Sequence, residues 1–136
     1  MSPSMQRKVS AYQSVAVHGS VAAADPHRLV LLLLEGALSR ITLARACNER
    51  AERQDRNRHL ERAVAIVGEL RASLDLTQGP LARNLDDLYD FVMRQLLLGQ
   101  LTNDPRGISG AASVLQEIRL AWAALAPEAA ATRVAV

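Results

Sequence analysis

Arg28, Arg40 and Arg94 are the side chains best suited to hold a small dicarboxylate inside a helical protein. Asp86, Asp87, Asp90 and His59 are those best suited to acid–base or phosphoryl-transfer chemistry. Each set fails on its surroundings. A helical mutase needs a lysine beside its arginines, and the one lysine, Lys8, lies near the N-terminus, outside any expected helix. Arg40 falls inside an apolar arc, so it is read as laying its stem on apolar surface and reaching solvent or a carboxylate such as Glu69 or Glu117. A phosphotransfer histidine is normally followed by a lysine and a glycine, whereas His59 is followed by Leu60, Glu61, Arg62 and Ala63. The three aspartates fall in the first half of an expected helix, where acids favour the helix dipole. Cys47 is the single cysteine, and His18, His27 and His59 show no close metal-ligand spacing, so neither a disulfide nor a metal site is expected. No phosphate loop, dinucleotide fingerprint or G-x-S-x-G elbow occurs. The reading is a protein with no catalytic residues, no cofactor and no metal.

Composition points the same way. The 136 residues suit one domain, and 49% apolar against 22% charged residues suits a folded chain. Aromatics are only 3%, leaving a core of Leu and Ala, both strong helix formers. The formal charge is +2. The basic run Arg45, Arg50, Arg53, Arg56, Arg58 and Arg62 is interleaved with Glu49, Glu52, Asp55 and Glu61. With Glu49–Arg53 and Glu52–Arg56 as i,i+4 pairs, it reads as a solvated hairpin tip rather than a nucleic-acid surface. The longest apolar run, residues 29–34, is far short of the ~20 needed for a membrane span. Polar residues interrupt the segment after Arg7 and Lys8, so no signal peptide is expected and a cytoplasmic location is.

Local signals divide the chain. Residues 1–24 read as a mobile arm in which Val9, Tyr12, Val15 and Ala16 share helical spacing, either one docking turn or a frayed end. Asp25-Pro26 and Asp104-Pro105 are start signals, a capping carboxylate before a proline suited to the first helical position. Helices are expected over residues 26–51, 58–76, 80–103 and from Asp104 to Pro127, with 52–57 as a connection and Gly79-Pro80 as a break. Residues 127–136 read as a disordered tail. Short connections force antiparallel neighbours, so residues 25–126 are expected to form an all-α, up-down four-helix bundle.

The first helix carries more apolar residues than a bundle stripe needs. Glu35, Ser39 and Thr42 fall in one polar strip while leucines spread over most of the rest. Either this helix is packed from several sides, or something outside the bundle covers it. Phe91 and Leu98 sit off the main stripe of the third helix, widening the core or lining a groove.

Several segments resemble the FliS family of flagellin export chaperones: Ala11-Tyr12-Gln13; Asp25-Pro26-His27-Arg28-Leu29; Leu33-Leu34-Glu35-Gly36-Ala37-Leu38; the stretch LDLTQGPLARNLDDLYDF over residues 74–91; and Ile118-Arg119-Leu120-Ala121-Trp122. They occur in the family's order over residues 11–123. Leu34 stands where a tyrosine is usual, Arg28 where an acid would complete a capping box, and Pro80 where a second glycine is frequent. The resemblance implies a non-enzymatic four-helix chaperone that binds the C-terminal helical segment of flagellin in the cytoplasm, blocks premature polymerisation and delivers it to an export-gate component of the flagellar type III apparatus. Expected partner-binding residues are Leu31, Leu34 and Leu38 of the first helix, Phe91 and Leu98 of the third, and Tyr12 and Val15 of the arm. Asn84 and Tyr89 are carried from the family motif. No nucleic acid or membrane insertion is expected, and a monomer or weak homodimer is. The alternative is a self-associating helical bundle with a structural or regulatory role.

Overall fold

The computed structural model describes residues 25–125. The expected arm, with Tyr12 and Val15, and the expected tail lie outside these residues. Four helices follow in order: α1 (Pro26–Glu49), α2 (Arg53–Ala72), α3 (Pro80–Thr102) and α4 (Pro105–Ala124), with a 3-10 turn (Leu76–Gln78) before α3. Asp25 takes extended backbone and accepts from Arg28 N at 3.2 Å, and Asp104 does the same for Arg106 N at 2.9 Å. Gly79, with φ 120° and ψ −168°, holds a conformation that only glycine adopts without strain, and it sets Pro80 at the start of α3. Asn103 ends α3 in the left-handed region.

α2 departs from expectation at both ends. It begins at Arg53 rather than Arg58, because the left-handed Ala51 (φ 58°) reverses the chain within a few residues. The reversal parts Glu49 from Arg53, whereas Arg56 follows Glu52 in the same helix, its amide donating to the Glu52 carbonyl at 3.0 Å, and turns its guanidinium inward. Arg50 pairs with Glu52 instead, and Arg58 with Asp55 at 3.5 Å. Arg56, expected at a solvated tip, is only 2% exposed. Its guanidinium donates to Asn48 Oδ1 (3.0 Å), Asn57 Oδ1 (2.8 and 3.0 Å), Asn103 Oδ1 (2.8 Å) and the Gln100 carbonyl (3.3 Å). Burial pushes this guanidinium below its usual range, and Arg53 adds to the effect. At the other end α2 stops at Ala72, since Asp75 accepts from Thr77 N (3.0 Å) and Thr77 Oγ1 (2.6 Å) and turns the chain.

α1 packs against α2 and α4, and α3 against the same two helices from the opposite side. Contacts between opposite helix ends, Arg45 to Ser109 and His27 to Trp122, fix the antiparallel sense. The apolar arc of α1 is filled largely from within. Val30, Leu31, Leu33, Leu34, Ala37 and Ile41 are all buried in the bundle core. Asp86 and Asp90 do not serve the α3 dipole. They bind Arg71 of α2 at 2.7 and 3.0 Å, while Arg94 reaches Asp90 at 3.0 Å. Arg40 donates to His59 Nδ1 at 3.3 Å across α1 and α2.

Candidate functional site

The contact between α3 and α4 changes character along its length. At one end glycines replace side chains. A Cβ on Gly107 would lie 2.9 Å from the Gln95 carbonyl, and one on Gly99 would lie 2.7 Å from Ile108 Cγ1. The backbones therefore touch there. At the other end larger side chains line an open groove of about 300 Å³ between the two helices. Leu81, Asn84 and Leu88 form its α3 wall, and Val114, Ala121 and Leu125 its α4 wall. Leu85, Ile118 and Trp122 form the floor, and Glu117 stands at the rim.

The groove continues as a ridge. Taking about 100° per residue, Asn84, Leu88, Phe91 and Leu98 fall within an ~80° sector of α3. Leu88 is 39% exposed, Phe91 37% and Leu98 49%. On the adjoining face Leu101 is 78% exposed. Single exposed leucines are ordinary, but a row of them beside an apolar groove makes a continuous apolar patch that could receive a partner.

The expected binding residues are scattered over this geometry. Asn84 lines the groove, and Phe91 and Leu98 stand on its ridge. Leu31 and Leu34 lie in the bundle core and present almost no surface. Tyr89 is also core, walled by Val30, Leu70, Leu74 and Trp122, and burial pushes its phenol far above the usual range. Leu38 lies on the other flank of α4, in a polar cleft with Thr42, Arg45, Ser113 and Gln116. Sequence reasoning missed Leu81, Leu88, Ala121 and Leu125 as lining residues. Periodicity placed the three leucines on core stripes, and only the volume of the facing helix decides whether a stripe's margin is covered.

The lining of the groove is aliphatic apart from Trp122, with Asn84 and Glu117 as polar groups, a composition suited to apolar side chains. Among the described residues no group of three or more His, Cys, Asp or Glu could hold a metal ion, and no helix is long and apolar enough to cross a membrane.

Comparison with known proteins gives this surface a context. A family model described as flagellar protein FliS matches residues 8–129. The flagellar secretion chaperone FliS of Vibrio cholerae is 32% identical over 91% of this chain and 92% of its own. The protein of that name from Salmonella typhimurium is 35% identical, over 89% and 91%. The flagellar secretion chaperone FliSB of Pseudomonas aeruginosa is 35% identical, over 82% and 89%.

Proposed function

The chain belongs to the FliS family of flagellar proteins, and from that premise we propose that it is a cytoplasmic export chaperone for flagellin. It binds the C-terminal segment of flagellin, keeps it from polymerising and delivers it to the flagellar type III export apparatus. The observation that carries this reading is the α3/α4 groove with its exposed ridge, Leu88, Phe91 and Leu98. An amphipathic client helix presents apolar anchors at i, i+3, i+4 and i+7, and a groove of this composition accepts them without demanding a fixed hydrogen-bond pattern. The client orders as it docks, so part of the interaction free energy offsets lost chain entropy. We further propose that the arm, through Tyr12 and Val15, shields part of the groove in the free protein and is displaced or re-docked when the client binds. Its work is binding, not catalysis.

Calorimetric titration with a peptide covering the C-terminal helical segment of the same organism's flagellin tests this. Saturable one-to-one binding with a negative heat-capacity change is expected. Absence of binding by a competent peptide would overturn it. Removing residues 1–18 should change the affinity; an unchanged value removes the arm from the mechanism.

A second reading, a self-associating bundle, draws on the exposure of Leu98 and Leu101. Sedimentation across a concentration series separates the two, since a homodimer seam would give a mass that rises with concentration.

A further inference from the structure

Trp122, the only tryptophan of the chain, is held at its back by His27. His27 Nε2–H donates to the Trp122 carbonyl at 2.7 Å, and Trp122 Nε1–H donates to the His27 carbonyl at 3.0 Å. The two rings are stacked, centroids 5.4 Å apart and 15° from parallel. Both residues are buried. The bond joins the first turn of α1 to the last turn of α4. The carbonyls of a helix's last turn have no partner within the helix. That of Trp122 is satisfied by His27 and by the Leu125 amide at 3.1 Å. Trp122 and Leu125 belong to the groove, so the same contact fixes its floor and one wall.

We infer that His27 is a positioning residue for client docking: without lining the groove, it pre-sets the Trp122 indole and the end of α4 against which the client's apolar anchors seat. The inference rests on the chaperone reading above. A side chain already fixed costs the complex no further ordering, whereas a freed indole must be immobilised on docking, and affinity falls by on the order of tenfold.

The test uses His27→Leu, which keeps bulk but removes the Nε2–H donor, and His27→Gln, which restores an N–H at similar reach. Ile41→Val, a core change remote from the groove, controls for lost stability. Titration with the flagellin peptide is paired with the emission of Trp122 and with hydrogen exchange over residues 120–125. His27→Leu should bind about tenfold more weakly, shift Trp122 emission to longer wavelength and speed exchange in the last turn of α4. His27→Gln should recover most of the affinity, and Ile41→Val should leave it unchanged. Wild-type affinity in His27→Leu overturns the inference, as does an equal loss in Ile41→Val. A wild-type protein that fails to bind the peptide sinks the flagellin reading and the docking half of the inference with it. Emission and exchange then decide the latch alone, and unchanged values in His27→Leu overturn that too.

Discussion

One helix pair, α3 and α4, is packed backbone to backbone at one end and open over a groove at the other. At the Gly99–Gly107 end the backbones meet, and the end of α3 is bound to α1 and α2 through buried Arg56. At the Leu81–Leu125 end an apolar groove lies between the helices, and the His27–Trp122 contact ties the end of α4 to α1. The difference lies in side-chain size. Small residues bring two helix axes close and consume the surface between them, while large ones separate the axes and leave part of their own surface uncovered. A bundle that must present apolar surface and still fold can do so by closing one end firmly and opening the other.

The largest effect is expected where the closed end is sealed. Arg56→Met removes a buried cation and leaves Asn48, Asn57, Asn103 and the Gln100 carbonyl short of donors, a loss of about 3 kcal/mol read in denaturant unfolding. Arg56→Lys should recover little of it, because an ammonium lacks the planar fork that reaches all these oxygens. Next come the glycines. Gly107→Ala drives a Cβ into the Gln95 carbonyl, and overpacking of about 1–3 kcal/mol outweighs the gain of up to ~1 kcal/mol in helix propensity. Gly110, three residues on, has nothing within 4 Å of its would-be Cβ. Gly110→Ala should therefore stabilise by about 0.5–1 kcal/mol, and a loss there would show that the closed end extends further than described. At the open end the expectation inverts. Leu88→Asp or Phe91→Asp should change stability by no more than about 0.5 kcal/mol, yet weaken flagellin-peptide binding by roughly tenfold or more. A variant that unfolds instead would assign these residues to the core.

The smallest effect is in acid and separates the ends least. Hydrogen bonds from Arg106 hold the Asp104 carboxyl below its usual range, and bonds from Thr77 do the same for Asp75. A carboxyl lowered in the folded state contributes stability above its unfolded pKa of about 3.9 and loses it as pH falls through the lower folded value. A mild loss is therefore expected below about pH 4, with Asp104→Asn flattening the closed-end share and Asp75→Asn the open-end share. Identical acid profiles in all three proteins would show that neither cap contributes.

Much of this architecture was legible because its signals are local. Asp25-Pro26, Gly79-Pro80 and Asp104-Pro105 mark helix starts by the φ that proline imposes and the amides that an aspartate accepts, or by a backbone that only glycine tolerates. Asn103 marks an end through its tolerance of left-handed backbone. The α1–α2 connection was not legible. Nothing in the polar stretch after Glu49 signals that Ala51 turns the chain or that Arg56 points inward, since its partners Gln100 and Asn103 lie more than forty positions away.

The sequence by itself determined four amphipathic helices, three of their starts, their antiparallel order and a surplus of apolar surface. Only the tertiary structure decided where that surplus emerges. Leu31 and Leu34 looked available and are enclosed, whereas Leu81 and Leu88 looked like core and line the groove. Periodicity records which side of a helix is apolar. Whether that side is covered depends on how near the next helix comes, and that distance is set by residues such as Gly99 and Gly107 on the pair of helices rather than by any one segment.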